Sequence, residues 1–274
     1  MTKPPGLTDN PWQKLRQFTD ARIALGRCGV SQPTAAHLEF QLNHAQARDA
    51  VHLPLETKAL CEGVAHLSLA ADPTPRQLHS AAEDRMTYLR RPDLGRQLSE
   101  ASRALLSSPD NTPTPPCDLL LIIIDGLSAQ AVNRHAVPFV KALHDALLAN
   151  TDTWTLAPPC VVTQGRVAIG DEIGEALNAR ATLVIIGERP GLSSPDSLGV
   201  YLTWNPKPGR SDAERNCISN IRPAGLSLTA AAEKACYLLG EARRLNGSGV
   251  ALKDRSDGEA LMPAESGKNF LIGR

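Results

Sequence analysis

Apolar positions along the chain change rhythm once. Up to about residue 106 they recur every three or four residues, the spacing of one face of a helix. A first helix is expected from Ala35 to about Val51, with Thr34 as its cap and Leu38, Leu42 and Ala45 on one stripe. A second begins near Glu56, with Leu60, Val64 and Leu67 in phase. A third follows Asp93, with Leu94, Leu98, Ala101 and Leu105 at helical spacing. Residues 107–116 read SSPDNTPTPP and break the pattern. Proline removes amide donors and biases the residue before it away from helix, so this stretch reads as a linker.

Beyond the linker the apolar runs become short and continuous. Leu119–Ile124 (LLLIII), Thr182–Ile186 (TLVII) and Leu198–Trp204 suit strands buried on both faces, and a further strand is expected within Val161–Ile169. Helical spacing returns at Ser128–Val132, Val137–Leu148 and Glu172–Asn178, the last with Ile173 and Leu177 inward. It closes at Leu228–Leu245, with Ala231, Ala235, Leu238, Ala242 and Leu245 in register.

Strands alternating with helices imply an α/β fold: a mainly parallel, Rossmann-like sheet with helices on both faces, preceded by a mostly helical N-terminal region. The expected division is a helical region 1–106, the linker 107–116, an α/β domain 117–246 and a flexible tail 247–274. In such sheets a ligand lies beyond the carboxyl ends of the strands. Three unusual segments fall there: Asp125-Gly126-Leu127-Ser128 after the first strand, GERPGLSSPD (187–196) after the second, and Asn216–Asn220 past the third.

Composition narrows the partners. Lys+Arg and Asp+Glu are each 29, and this neutral balance argues against nucleic acid, whose affinity comes mainly from phosphate neutralisation. Neutrality also gives little protection against association, so a protein partner is expected. The start of the chain carries no apolar leader-like run, and the most apolar stretch, Leu119–Ile124, is far too short to span a bilayer. A soluble, cytoplasmic protein with no membrane partner is expected. Its six cysteines include no CxxC pair and read as free thiols of a reducing compartment.

No complete catalytic constellation is visible: there is no GxGxxG after a strand, no P-loop, no GxSxG and no HExxH. His37 and His44 can share a helix face, but such a pair is usually an ordinary surface feature. Asp125 and Ser128 allow a metal-dependent hydrolase as the alternative reading, with an aspartate holding a metal and a serine as nucleophile. The plainer reading is that Asp125 ends a strand and Ser128 caps the next helix. The GERPGLSSPDS loop either offers amides, a carboxylate and hydroxyls to a polar ligand, or is merely fixed by a Glu188–Arg189 contact network.

Several segments together resemble the small subunit of ethanolamine ammonia-lyase. They are TDARIALGRCGVSQPTAAHLEFQLNHAQARDAVH (19–52), YLRRPDLGRQLS (88–99), DGLSAQAV (125–132), GRVAIGDEIGE (165–175), GERPGLSSPDSLGVY (187–201) and ERNCISNIRPAGL (214–226). Each is moderately specific alone; the ordered set is highly specific. The resemblance implies conversion of ethanolamine to acetaldehyde and ammonia by adenosylcobalamin radical chemistry. It implies an α/β domain covering one side of the cofactor, while a large-subunit TIM barrel covers the other side and carries the substrate. It implies corrinoid contacts at Val167 of GRV, Glu188 of GERPGL and Cys217 of CISNI, with no catalytic residue and no metal ligand in this chain. The cobalamin motif DxHxxG is absent, so the cofactor is expected base-on, its own benzimidazole on cobalt. A heterododecamer of six large and six small subunits is the assembly the family suggests. Some members carry an amphipathic N-terminal extension for packaging into a bacterial microcompartment. Here the family pattern begins by residue 12, so that signal is missing or reduced.

Overall fold

The computed structural model describes residues 7–8, 10–107, 115–150 and 152–256. Strand β1 (Leu7–Thr8) pairs antiparallel with β2 (Arg27–Cys28), and a 3-10 helix, Pro11–Phe18, lies between them. Then come α1 (Thr34–His52), α2 (Thr57–Ala65), β3 (Arg76–His79), α3 (Arg85–Arg90) and α4 (Glu100–Leu106). The remainder alternates: β4 (Cys117–Ile124), α5 (Ala129–Ala149), β5 (Cys160–Thr163), α6 (Ile169–Ala176) and β6 (Ala179–Gly187). It ends with β7 (Leu198–Trp204), β8 (Arg215–Ile221) and α7 (Leu228–Leu245).

The α/β expectation holds in a mixed form. The main sheet has the order β3-β5-β4-β6-β7-β8; the first four strands run parallel, and β7 and β8 turn antiparallel. A parallel return needs a crossover of a dozen or more residues, usually a helix. The stretch from Glu188 to Ser197 is shorter than that and holds two prolines, so β7 can only fold straight back.

Strand β4 is the axis of the core. Leu119, Leu121 and Ile123 face one apolar cluster with α2, α5 and α7, whereas Leu120, Ile122 and Ile124 face a second with α6 and the α4 region. Burying side chains of this size is worth about 1.5–3 kcal/mol each. The two faces are covered unequally. Helices α5 and α7 spread over one, and the short α6 packs on β6 over the other. The α6-side face of β7 and β8 therefore carries Tyr201 and Cys217 with no helix of its own to bury them.

Several local expectations give way to tertiary context. The segment before the linker also contributes β3, an edge strand that buries only Leu78 and so lacks an apolar signature. The stretch expected as one helix after Asp93 breaks at Leu98, which forms an antiparallel bridge with Ser80; Ser99 then caps α4 and turns Ser102 and Leu106 inward instead of Ala101 and Leu105. The two helical segments expected at Ser128–Val132 and Val137–Leu148 are one helix, which continues through Pro138 with Val132, Ala136, Phe139 and Val140 buried. On α1, Pro33 precedes the first turn, Thr34 makes no cap, and the stripe of Leu38, Leu42 and Ala45 faces solvent. Within the stretch expected as a flexible tail, residues 248–252 are tied down: Ser248 Oγ donates to Glu214 O (2.6 Å), Asn216 Nδ2 to Leu252 O (3.1 Å), and Leu252 is buried. Residues 257–274 and most of the expected linker, 108–114, lie outside the described residues. Among the described residues no helix is long and apolar enough to cross a membrane.

One buried ion pair joins α6 to the antiparallel strands. Arg215 Nη1 and Nη2 donate to the two carboxylate oxygens of Asp171, each at 2.6 Å, and the same guanidinium reaches Thr203 Oγ1 (2.9 Å) and Arg210 O (3.0 Å). Both side chains are 2% exposed. Arg215→Met leaves the carboxylate buried and alone, and is expected to cost about 3–5 kcal/mol in urea unfolding. Asp171→Leu together with Arg215→Met is expected to recover most of that loss. An equal loss in single and double variants would show that the bonds to Thr203 and Arg210 matter more than the charge pair.

Candidate functional site

The carboxyl ends of β4, β5 and β6 meet at Asp125. Its Oδ2 accepts from the Gln164 amide (3.0 Å) and its Oδ1 from the Gly165 amide (3.2 Å), while Arg85 Nη1 stands 3.5 Å from Oδ2. Burial pushes the carboxyl above its usual range, against the pull of those amides and of Arg85. Arg85 also donates to Gly126 O (2.8 Å) and Val51 O (2.7 Å), tying the end of α1 to the strand ends. Ser128 is fully buried; its Oγ accepts from the Ala131 amide (3.2 Å) and donates to Pro195 O (2.7 Å). The DGLS loop is therefore a clamp and a helix cap. Its serine is out of reach of a substrate and its aspartate is already engaged, which removes support from the metal-dependent hydrolase alternative. No group of three or more His, Cys, Asp or Glu side chains among the described residues is placed to hold a metal ion.

Glycine at 187 has a steric cause. A Cβ there would fall 2.1 Å from Ser128 O, and this closeness lets the Leu127 amide donate to Gly187 O (2.9 Å). The strand ends consequently meet backbone to backbone, and a cleft of about 450 Å³ opens beside them. Leu127, Val167 and Ile186 give it apolar walls, Tyr88 and Tyr201 give aromatic ones, and Glu188, Arg189 and Arg166 stand around it.

Two of the three residues singled out from the sequence line this cleft. Val167 sits half-buried just before α6, packed on the α6-side cluster. Glu188 follows β6 directly, and its Oε2 accepts from Ser197 Oγ (2.6 Å) and the Asn220 amide (3.2 Å). The carboxylate is thus fixed by those two donors, while Arg189 lies exposed along the cleft. The third residue, Cys217, belongs to β8 and not to a loop past the last strand; it stands opposite Tyr201 in the β7–β8 register. Strand β8 was hidden by its polar residues, which are tolerated because an edge strand leaves one face uncovered. A bulge sets two residues, Ser219 and Asn220, opposite Gly199 of β7. Asn220 takes φ +58° there and its amide reaches Glu188.

The Cys217 side chain is exposed on the strand, yet packing around its sulfur raises the thiol's pKa; the neighbouring Tyr201 and Ser219 hydroxyls oppose this and the charge of Glu188 adds to it. The thiol is neutral at physiological pH and is not a thiolate nucleophile. Sequence reasoning missed Tyr201, Tyr88 and Arg166. Tyr201 was legible in β7, where Leu198, Val200, Leu202 and Trp204 take the core face and leave Tyr201 on the other. Tyr88 is buried, donates to Gly165 O (3.0 Å) and lies under two guanidiniums, Arg85 at 4.8 Å and Arg166 at 4.3 Å from its ring centre. That stack depends on long-range packing and has no local sequence signal.

Fold and site define an α/β protein whose cleft, apolar-walled and rimmed by a fixed carboxylate, lies at the strand ends. The chain matches, over residues 9–253, the family described as ethanolamine ammonia-lyase light chain (EutC). It is 55% identical over 267 residues to the ethanolamine ammonia-lyase small subunit of Azotobacter vinelandii, covering 97% of each chain. It is 51% identical to the small subunits of Pseudomonas fluorescens (99% of this chain, 98% of the relative) and Ralstonia nicotianae (98% and 97%). The chain belongs to the ethanolamine ammonia-lyase light-chain family.

The raised thiol gives a direct check. Labelling of Cys217 by iodoacetamide is expected to climb with pH only above the ordinary thiol range, followed by peptide mass spectrometry. A rate that levels off below pH 8 would contradict the environment described.

Proposed function

We propose that this chain is the small subunit of an ethanolamine ammonia-lyase, a carbon–nitrogen lyase that works only with its large subunit, and that the strand-end cleft forms one wall of the adenosylcobalamin site. The carrying observation is that the family match runs through the cleft, with Val167 and Glu188 lining it and Cys217 opposite the lining Tyr201 in the β7–β8 register.

The residues present suit a corrinoid. A corrin is a broad apolar disc edged with amides. Val167, Ile186 and Leu127 offer it apolar contact, and the Glu188 carboxylate, held by Ser197 and Asn220, offers an acceptor for amide N–H groups at the edge. Bound adenosylcobalamin supplies the homolytic chemistry that opens the reaction. This chain's residues hold and orient the cofactor and keep water from it, and the substrate site lies in the large subunit. The absence of a DxHxxG motif supports a base-on cofactor.

A covering partner fits the rest of the surface. Of the residues of α1 only Ala50 is buried, and Leu38 and Leu42 are each 58% exposed. Soluble monomers rarely leave such an apolar surface open. The end of α1 is bonded through Arg85 to the strand ends, and the large subunit would sit across both this surface and the cleft. Membership of a six-plus-six heterododecamer and residence in the cytoplasm, free or inside a microcompartment, extend the same reading.

Co-expression with a large subunit tests it: the complex is expected to release acetaldehyde from ethanolamine only when adenosylcobalamin is added, and this chain alone to be inactive. Val167→Ala removes about 1.5 kcal/mol of apolar contact and is expected to weaken cobalamin binding roughly tenfold by equilibrium dialysis. Glu188→Gln is expected to weaken it at least as much, since a bond to a charged group is worth about 1.5–3 kcal/mol. Unchanged affinity in both variants would move the cofactor elsewhere. With ¹⁵N-histidine-labelled protein, the Co(II) spectrum is expected to show no coupling to a protein nitrogen; such coupling would refute the base-on state.

A further inference from the structure

The cleft does not end at Val167. Arg166, Val167 and Tyr201 also line a second hollow of about 450 Å³, so the two form one continuous surface. Their chemistry differs. The first has apolar walls with Glu188, Arg189 and Arg166 around it; the second, beyond Arg166 itself, adds Arg96 and Arg210. Its one carboxylate, Asp212, is 98% exposed and stands 3.6 Å from Arg215 Nε. Arg210 is already ion-paired with Glu214. Arg96 and Arg166 have no carboxylate partner among the described residues.

Arg166 is held in place and yet not satisfied. A Cβ at Gly95 would come within 2.9 Å of its Cγ, so the stem runs tight against the backbone there. Its guanidinium lies over the Tyr88 ring and its Nη2 donates to Tyr88 O (3.4 Å), but Nε is buried with no hydrogen-bond partner. A buried N–H without an acceptor is costly, and a planar guanidinium matches the two oxygens of a phosphate. Arg96 is exposed and free to turn toward the same point.

We propose that this second hollow receives the phosphodiester of the cofactor's nucleotide loop, with Arg96 and Arg166 as its donors. The inference rests on the cobalamin reading above and deepens it. Cobalamin carries one anionic group on its periphery, that phosphodiester; the other edge groups are amides. A hollow rich in guanidinium next to an apolar wall with a carboxylate rim therefore gives the cofactor an orientation: ring over Val167, nucleotide loop toward Arg166. It also places the lower base on this chain's side of the cofactor.

Adenosylcobalamin and adenosylcobinamide, which lacks the nucleotide loop and its phosphate, separate the possibilities. Each is titrated by equilibrium dialysis into the complex of large and small subunits, unaltered and carrying Arg96→Gln, Arg166→Gln or both. Each single change is expected to weaken cobalamin about tenfold, and the pair more, as for loss of a charge-assisted bond, while cobinamide affinity stays the same. Equal weakening of both corrinoids, or of neither, overturns the assignment. Failure of the unaltered complex to bind either corrinoid overturns the cobalamin reading itself. Arg96 is exposed, so Arg96→Gln carries the test if Arg166→Gln disturbs the Tyr88 stack. Where cobinamide binds too weakly to titrate, the ³¹P resonance of bound cobalamin gives the same answer: it is expected to shift on binding and to move back toward the free value in the double variant. A resonance identical in both complexes would overturn the proposal.

Discussion

Arg215 and Asp171 lie in different layers of the fold, one on the last strand of the sheet and the other in the first turn of α6, and their bidentate contact is closed from water. Removing charges from water is costly, and the cost is offset only when every donor and acceptor is matched. Here the guanidinium also holds Thr203 and the Arg210 carbonyl, so the pair sets three segments in one geometry. Its consequence reaches the cleft. Arg166, Val167 and Ala168 lead directly into α6, and Cys217 follows Arg215 by two positions on β8. The spacing of these two segments is thus governed by an ion pair that does not itself line the cleft.

A second constraint acts at the strand ends. Asp125 gathers the amides of Gln164 and Gly165 and the charge of Arg85, and Gly187 lets two backbones meet where any side chain would clash. These contacts consume the polar groups that resemble a catalytic set in the sequence. What remains facing the cleft is apolar surface, aromatic rings, the fixed Glu188 carboxylate and the guanidiniums of Arg166 and Arg189. That division suits a subunit that shelters and orients a cofactor while a partner holds the substrate, since burial of a reactive centre requires walls from both sides.

The same economy explains the asymmetric sheet. Helices α5 and α7 cover one face, and α6 alone covers the other, leaving Tyr201 and Cys217 of β7 and β8 uncovered. In an isolated domain such a face would be a defect. In the proposed complex it is the surface on which a ligand and a second chain would complete the burial that this chain leaves unfinished.

Much of this was legible in the residues. The runs LLLIII and TLVII declare strands buried on both faces, the bounds of β7 and α7 follow from period alone, and the ordered motifs from GRV to CISNI carry the family. Other features depend on neighbours distant in sequence. The stripe of Leu38 and Leu42 has the right spacing for a core face, but no second layer among the described residues lies against it. Strands β3 and β8 sit at the sheet edges, where a strand needs few apolar residues, so they carry little pattern. Whether Asp125 is a ligand or a clamp, and whether Arg166 is a surface charge or part of a hollow, depended on which backbone amides and rings the fold brought against them. Periodicity reports which way a side chain must face to be buried; only the packed chain decides what, if anything, faces it in return.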